Sequence, residues 1–221
     1  MTYMKEKEFL QIHEAFLRSH PEKYTKWFVN APLSGRFRRF LSAIRPLKWT
    51  SVLDVCGAYG EFASYMHAVE GRHFEYTCLD FNPHRVKCGP HYLEIFGLKG
   101  NFILHNIREP FPLPEEEFDM VWLFGWCDTL FDCYKLFNEI YRVLEDNGIF
   151  MFNMAYAGYY KTKYSEAPLR ELMKKTSFEV LRLNKIDSQE YGVVAKKLVK
   201  TRIGENEENE NPMANNGFQP D

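Results

Sequence analysis

The chain has 221 residues, of which 45% are hydrophobic, 26% charged and 16% aromatic, and its formal net charge is −2. This is the composition of an ordinary globular protein, and a chain of this length needs no disulfide or metal ion to stabilise its fold. The small net charge argues against a protein that binds nucleic acid over its whole surface. No stretch approaches the roughly 18 apolar residues of a membrane span, and the start contains no signal-peptide core, so we expect a cytoplasmic protein.

Residues 1–49 are expected to form a helical cap on the rest of the chain. Apolar side chains recur there at helical spacing in three groups: Phe9, Phe16 and Leu17; Tyr24, Trp27 and Phe28; Phe37, Phe40 and Ile44. Ten Lys and Arg against four Glu make residues 1–50 basic, with Arg36, Arg38 and Arg39 clustered. The cap is either a lid over a substrate, with a basic face toward an anionic ligand, or a solvated cover for the edge of a sheet.

From residue 50 to 200, short apolar strands alternate with amphipathic helices. Strands are expected at 51–55, 74–79, 102–105, 119–124, 149–153, 178–183 and 191–198. Strands that alternate with helices predict parallel βαβ units, and the short connection between the last two strands predicts an antiparallel hairpin. The expected fold is therefore α/β: a doubly wound, Rossmann-like, seven-stranded sheet, mostly parallel, with a C-terminal antiparallel hairpin and N-terminal helices.

Local signals add detail to this pattern. Pro90 is expected in the first turn of the helix that follows the second strand. The run Asp146-Asn-Gly148 is expected to end the helix before the fifth strand. Residues 201–221, rich in Glu and Asn, are expected to form a disordered acidic tail. The five cysteines form no C-x-x-C pair, so we expect neither a disulfide framework nor a metal site.

Two acidic residues mark the expected ligand site, because ligands of open α/β sheets bind at the carboxyl ends of the strands. The turn after the first strand reads Asp54-Val-Cys-Gly-Ala-Tyr-Gly60, and its small residues let a ligand approach the backbone. Asp80 ends the second strand, where a carboxylate can accept both ribose hydroxyls of a nucleoside. Two helix-capping acids are the plainer interpretation of the same pattern.

The expected nucleoside is neither a nicotinamide dinucleotide nor a nucleoside triphosphate. The sequence after the first strand contains no G-x-G-x-x-G, and the chain contains no G-x-x-x-x-G-K-[ST] phosphate loop. An acid at the end of the first strand suits a cationic ligand better than a pyrophosphate.

Over residues 50–198 the sequence resembles the class I S-adenosylmethionine-dependent methyltransferases. Five segments resemble the family's motifs in matching order: Val52-Leu-Asp-Val-Cys-Gly-Ala-Tyr-Gly-Glu-Phe62, Cys78-Leu-Asp-Phe-Asn-Pro83, His105-Asn-Ile107, residues 111–122 and residues 136–152. The last segment is similar to the branch that methylates small molecules. The resemblance implies methyl transfer from S-adenosylmethionine to a small-molecule acceptor, with S-adenosylhomocysteine as product. Membrane and nucleic-acid partners are not expected, and the oligomeric state stays open.

The resemblance also implies a role for each site residue. Gly57 and Gly60 would shape the loop around the methionine part, with Asp54 near its ammonium group or an ordered water. Asp80 would hold the ribose hydroxyls, and Phe81 would pack on the adenine. The remaining expected cofactor-binding residues are Asn106 and Ile107 at the adenine edge, Phe124 and Gly125 beneath the methyl group, and Cys56 and Ala58 in the loop.

Two positions depart from the family pattern within the loop. Cys56 and Ala58 stand where the family most often has glycine, and Asn106 replaces the usual acid. If the two loop positions need a positive φ, each Cβ costs on the order of 1 kcal/mol, whereas Ala58 is tolerated if only a close approach is needed. A catalytically inactive, methyltransferase-like binding or scaffold protein therefore stays open as an alternative.

No catalytic residue is assigned, because transfer from an activated donor depends mainly on positioning. Asp128, Tyr156, His91 and His105 are positional candidates for a general base, although Asp128 is favoured as a helix N-cap. An RNA or protein methyltransferase that uses the arginine cluster at 36–39 is a less favoured alternative.

Overall fold

The computed structural model describes residues 3–20, 35–124, 133–155, 165–185 and 190–199. Several expectations concern residues outside these ranges: the stripe of Tyr24, Trp27 and Phe28, the base candidates Asp128 and Tyr156, and the tail at 201–221. Within the described ranges, no helix combines the length and the apolar character needed to cross a membrane.

Helices and strands alternate along the described chain. The helices are α1 (Glu6–Ser19), α2 (Gly35–Ile44), α3 (Glu61–Ala68), α4 (Pro83–Ile95), α5 (Cys133–Val143) and α6 (Glu166–Lys175). The strands are β1 (Ser51–Val55), β2 (Glu75–Asp80), β3 (Asn101–Leu104), β4 (Phe118–Leu123), β5 (Leu144–Ala155), β6 (Phe178–Lys185) and β7 (Glu190–Lys197).

The seven strands form one sheet in the order β3-β2-β1-β4-β5-β7-β6. β1 pairs in parallel with β2 and β4, and β5 continues the parallel sheet beside β4. β7 runs antiparallel to both of its neighbours, β5 and β6. This mixed, mostly parallel sheet confirms the expected fold class. The strand order reverses between β1 and β4, so their carboxyl ends form the crevice in which such sheets bind ligands.

Helices cover both faces of the sheet, which explains why β1 is buried from Val52 to Val55. Val52 belongs to an apolar core that also contains residues of α1 to α4, such as Phe9 and Phe62. Its neighbour Leu53 points to the opposite face and belongs to a second core with residues of α5 and α6, such as Phe137.

α1 packs against α4 through aromatic rings and one buried polar pair. Phe9 contacts Phe96 with ring centroids 4.5 Å apart, and Phe16 contacts Tyr92 at 4.8 Å. His13 Nδ1 lies 2.8 Å from the hydroxyl oxygen of Tyr92, and both residues are fully buried. The apolar stripe predicted for the first helix is therefore its buried face.

α4 begins earlier than the sequence analysis predicted. Its first residue is Pro83, and Pro90 lies inside the helix, so the expectation that Pro90 occupies the first turn is wrong. Asn82 explains the start, because its side chain accepts hydrogen bonds from the amides of His84 and Arg85. Pro83 then occupies the first helical position, where the missing N–H needs no partner.

β5 also begins earlier than predicted, at Leu144. Phe118 of β4 pairs with Leu144, while the next pair joins Met120 to Ile149, so the intervening residues of β5 form an irregularity in the pairing. Asn147 lies there with a φ of +66°. α5 has already ended at Val143, so the expectation that residues 146–148 end this helix is wrong, and they lie in the irregular part of β5.

Candidate functional site

The loop between β1 and α3 contains three residues with left-handed backbone. The φ angle is +63° at Cys56, +54° at Ala58 and +83° at Gly60. Residues other than glycine adopt this conformation at a cost of about 1–2 kcal/mol. The structure thus resolves a question that the sequence left open, since both Cys56 and Ala58 adopt the conformation that favours glycine. Burial raises the pKa of the Cys56 thiol, so this group is not a nucleophile at neutral pH.

Gly57 is needed in this loop because the carboxyl group of Asp54 lies directly beneath it. A Cβ built on Gly57 would lie 2.5 Å from Asp54 Cγ and 2.9 Å from the hydroxyl oxygen of Tyr76. Asp54 is 3% exposed, and the Tyr76 hydroxyl donates a 2.9 Å hydrogen bond to its Oδ2. The loop backbone therefore lies on a buried pair of a carboxyl and a phenol.

Asp80 ends β2, as expected, and its carboxyl group is fully buried. Oδ2 accepts a hydrogen bond from the Ala58 amide at 3.0 Å, and Oδ1 accepts one from the Asn82 amide at 2.8 Å. The buried Arg85 has its Nη1 3.8 Å from Oδ2. The carboxyl thus joins the loop to the start of α4. Its role toward ribose stays a prediction. To accept the ribose hydroxyls, the carboxyl must give up the hydrogen bond from one of these two amides.

Glu61, the first residue of α3, is a third buried carboxyl, which the sequence analysis missed. Its side chain is 5% exposed, and Oε2 accepts a hydrogen bond from the Tyr59 amide at 3.2 Å. Oε1 has no hydrogen-bond partner among the residues that the structure describes. An acid in the first turn of a helix is usually an exposed partner of the helix dipole. The only feature of the sequence that could have pointed to Glu61 is that it directly follows Gly60 of the loop.

Burial dominates the electrostatics of these carboxyl groups. Loss of water raises the pKa of Asp54 to about 8, although the hydrogen bond from Tyr76 favours the ionised form. Burial likewise raises the pKa of Glu61 to about 7, against backbone hydrogen bonds and the attraction of Arg85. These two acids therefore hold protons near neutral pH, and an added positive charge would favour their ionisation.

The residues expected around adenine follow β2 and β3. Phe81 is 53% exposed, so its ring offers a face on which a flat ligand can stack. Asn106 is exposed, and its Oδ1 accepts a 3.3 Å hydrogen bond from the Arg108 amide. Ile107 is buried. The structure places these residues at the expected strand ends, and their contacts with adenine stay a prediction.

The other side of the crevice, at the end of β4, is aromatic. The ring centroid of Phe124 lies 4.7 Å from that of Phe40 and 5.2 Å from that of Phe62. Phe62 also packs edge-on against Trp122. Gly125, expected beside Phe124, lies outside the described residues. Phe40 and Phe62 are 3% and 4% exposed, so the half-buried Phe124 is the ring of this group that keeps surface for a bound molecule.

Both histidine candidates for a general base have structural interactions. His91 is exposed, with Nδ1 3.9 Å from Glu94 Oε2. His105 Nε2 lies 3.3 Å from the carbonyl oxygen of Glu109, and its ring packs edge-on against Phe111. We therefore assign no general base. In the described part of the chain, no three His, Cys, Asp or Glu side chains group in a way that could hold a metal ion.

The residues of this site fit S-adenosylmethionine. The loop backbone at Gly57 lies directly on the Asp54 carboxyl, Phe81 offers an exposed ring, and the buried acids can compensate a positive charge. A cationic nucleoside derivative matches this combination better than an anionic dinucleotide does.

Comparison with known proteins shows similarity over most of the chain. The family model described as a methyltransferase domain matches residues 47–214. The demethylmenaquinone methyltransferase of Listeria welshimeri is 26% identical over 149 residues, which cover 67% of this chain and 62% of that protein. The chain therefore spans about three fifths of the length of this curated relative.

Solved structures share the fold at low sequence identity. The 1,6-didemethyltoxoflavin-N1-methyltransferase of Burkholderia thailandensis, with bound 1,6-didemethyltoxoflavin and S-adenosylhomocysteine, has a TM-score of 0.64 at 14% identity, covering 90% of this chain and 93% of that chain. The cyclase SpnF has a TM-score of 0.64 at 15% identity, covering 75% of this chain and 81% of that chain. Because one neighbour is named as a cyclase, the shared fold alone does not establish methyl transfer. The family model matches more than half of the 221 residues, so this chain belongs to the class I S-adenosylmethionine-dependent methyltransferases.

Proposed function

We propose that the chain binds S-adenosylmethionine at the carboxyl ends of β1 and β2 and transfers its methyl group to a small-molecule acceptor by in-line displacement. The observation that carries this proposal is the backbone of the loop between β1 and α3. Cys56 and Ala58 keep the left-handed conformation although each carries a Cβ. Strained residues of this kind persist only where the surrounding structure dictates them, and they concentrate at functional sites.

Each residue of the site has a task in this proposal. Phe81 stacks on the adenine, and Asn106 and Ile107 line its edge. Asp80 turns from one of its amide donors to the ribose hydroxyls. Asp54, beneath the loop backbone, compensates the positive charge of the methionine end.

The chemical step needs orientation more than acid or base catalysis. S-adenosylmethionine supplies a methyl group on a sulfonium, an already activated donor, so in-line positioning provides most of the rate. The contribution of the chain is to hold the two reactants and to offer the apolar ring of Phe124, which the buried rings of Phe40 and Phe62 support. The proton lost by the acceptor needs no dedicated base where the acceptor is itself acidic.

The half-buried ring of Phe124 favours an acceptor with an apolar ring. Phe124 packs between Phe40 and Phe62 at the end of β4, the side of the crevice opposite Asp80. The names of the relatives support a small molecule, since one methyltransferase is named for demethylmenaquinone and another structure contains 1,6-didemethyltoxoflavin. An RNA or protein acceptor stays the less favoured alternative.

Calorimetric titration with S-adenosylmethionine and S-adenosylhomocysteine tests the cofactor site, and Phe81→Ala is the sharpest variant. We expect affinity to fall about tenfold, because stacking of a base on an aromatic ring contributes about 1–3 kcal/mol. The ring is 53% exposed, so its loss should change folding little. Leu181→Ala on the far edge strand β6 removes a side chain that is 49% exposed and serves as the matched control.

A test of Asp80 needs a variant that keeps the contacts of its side chain with the rest of the fold. Asp80→Ala removes a carboxyl that faces the buried Arg85, and such a loss destabilises the fold. Asp80→Asn keeps the shape and one acceptor oxygen, and we expect it to fold and to bind the cofactor more weakly. If the native protein binds neither ligand, the proposal fails and a methyltransferase-like binding or scaffold protein is the better description.

A further inference from the structure

Three buried carboxyl groups lie together beneath the loop between β1 and α3, and we call them the loop acid cluster: Asp54, Glu61 and Asp80. Their exposed fractions are 3%, 5% and 0%, and the cation that faces them among the described residues is Arg85, itself 3% exposed. If all three carboxyls were ionised, the charges of this group would not balance. Such an excess of buried negative charge is unfavourable, so the cluster retains protons until a cation arrives.

Tyr76 determines where one of these carboxyls lies. Its hydroxyl donates to Asp54 Oδ2 at 2.9 Å, and the pair lies directly beneath two glycines of the loop. A Cβ built on Gly57 would lie 2.6 Å from Asp54 Oδ2, and one built on Gly60 would lie 3.2 Å from the Tyr76 hydroxyl. The phenol thus holds the carboxyl against the backbone that the cofactor must approach.

We propose that Tyr76 is a positioning residue for cofactor binding: it fixes the Asp54 carboxyl beneath the loop, so that arrival of the cationic methionine end expels the Asp54 proton to solvent. The inference rests on the proposed function, since it presupposes that the cofactor binds here. In this step the O–H bond of the Asp54 carboxyl breaks, the proton passes to the buffer, and the carboxylate remains opposite the cation. No bond to the cofactor forms.

The titratable groups around the cluster limit which protons can leave. They are Cys56 of the loop, Tyr76, Cys78 and Asp80 of β2, Glu61 of α3, and Arg85 and Tyr92 of α4. Burial raises the pKa of both thiols and both phenols, so these four groups stay neutral around pH 7. Glu61, whose pKa burial raises to about 7, is therefore a second, smaller source of protons beside Asp54.

Calorimetry in buffers of different ionisation enthalpy counts the protons released for each ligand bound. Three probes separate the charges: S-adenosylmethionine carries an ammonium, a carboxylate and a sulfonium, S-adenosylhomocysteine carries the ammonium and the carboxylate without the sulfonium, and 5′-methylthioadenosine carries none of the three. We expect about one proton to be released at pH 7 with S-adenosylmethionine, and none with 5′-methylthioadenosine. Because the pKa of Asp54 is about 8, the release should fall by half near that pH.

Tyr76→Phe tests the positioning role. Without the hydroxyl, ionised Asp54 loses a donor, so the pH at which proton release falls by half should rise. Tyr92→Phe is the matched control, because it removes the hydroxyl of another fully buried tyrosine, one that pairs with His13. That variant should lower stability to a similar degree and leave the midpoint unchanged. A merely structural role of Tyr76 would change stability in the same way without moving the midpoint.

The outcomes separate this inference from the proposed function. Binding of S-adenosylmethionine without proton release, or equal release with 5′-methylthioadenosine, overturns the inference and leaves the proposed function standing. Absence of any cofactor binding overturns the proposed function itself. If Tyr76→Phe does not fold, Asp54→Asn decides, because the inference requires that this variant release at most the smaller share contributed by Glu61.

Discussion

Cys56 and Ala58 share the left-handed backbone conformation, but their side chains bury different amounts of apolar surface. Both residues are buried, and Cys56 belongs to the apolar core that contains Leu53 and Val55. The sulfur and methylene of Cys56 therefore contribute hydrophobic burial that offsets the strain, whereas Ala58 has only a methyl group. Replacement by glycine should thus have different effects at the two positions.

Ala58→Gly should raise the free energy of unfolding by about 0.5–1 kcal/mol. Relief of about 1–2 kcal/mol of strain exceeds the roughly 0.4–1 kcal/mol by which an added glycine stabilises the unfolded chain. Cys56→Gly should give no gain, because it also loses roughly 1 kcal/mol of apolar burial. Urea denaturation measures both, with Ser177→Gly, at a φ of +61° outside the site, as the control for strain relief.

The same variants test the non-catalytic alternative. A loop that functions as it stands should bind S-adenosylmethionine with nearly unchanged affinity after Ala58→Gly. A sharp rise in affinity would mean that the motif had decayed, and would favour a scaffold protein over an enzyme.

Asn82 connects the start of α4 to the site. Its side chain caps the helix through the amides of His84 and Arg85, while its own amide donates to Asp80 Oδ1. One residue therefore fixes both the helix start and one oxygen of a site carboxyl. Helix capping here also orders the end of β2.

Asn82→Ala should lower the free energy of unfolding by about 1 kcal/mol, the usual contribution of an N-cap side chain. Asn82→Ser, which keeps an acceptor oxygen, should retain most of the stability. An Asn82→Ala variant as stable as the native protein in urea denaturation would mean that the cap contributes nothing.

The sequence predicted elements better than contacts, and particular residues show why. The alternation of strands and helices is local, so the sheet and the hairpin of β6 and β7 could be anticipated. The bulge around Asn147 depends on pairing with β4, a partner distant in sequence. Asp54 and Asp80 were found because they belong to contiguous motifs. Tyr76 and Glu61 were missed, because an aromatic residue in a strand and an acid at a helix start are ordinary until the fold buries them together.

Stability of the whole molecule should fall as the pH rises from about 5.5 to 8. Burial raises the folded-state pKa of Asp54 to about 8 and that of Glu61 to about 7, whereas in the unfolded chain both titrate near pH 4. Above that pH the unfolded state has lost protons that the folded state keeps. The free energy of unfolding should therefore decrease, by up to about 1.4 kcal/mol per pH unit for each group, until the folded groups ionise.

Thermal or urea unfolding across this pH range measures how steeply the free energy of unfolding falls with pH. The Asp54→Asn variant should show a shallower fall than the native protein. Glu171→Gln, on the exposed surface of α6, serves as the control carboxylate. A native protein that gains stability between pH 5.5 and 8, or an Asp54→Asn variant with the native slope, would contradict the expectation.

The single reversed strand has a practical consequence for handling the protein. β7 runs against its neighbours, so it ends at the amino-terminal edge of the parallel strands, where Lys197 Nζ donates to the carbonyl oxygen of Leu144. Val199, 49% exposed, follows at that same edge. A dye or a surface linker attached there would lie a full strand length from the crevice. The molecule could thus be immobilised with its ligand crevice facing the flowing solution, an orientation suited to surface-based detection of binding.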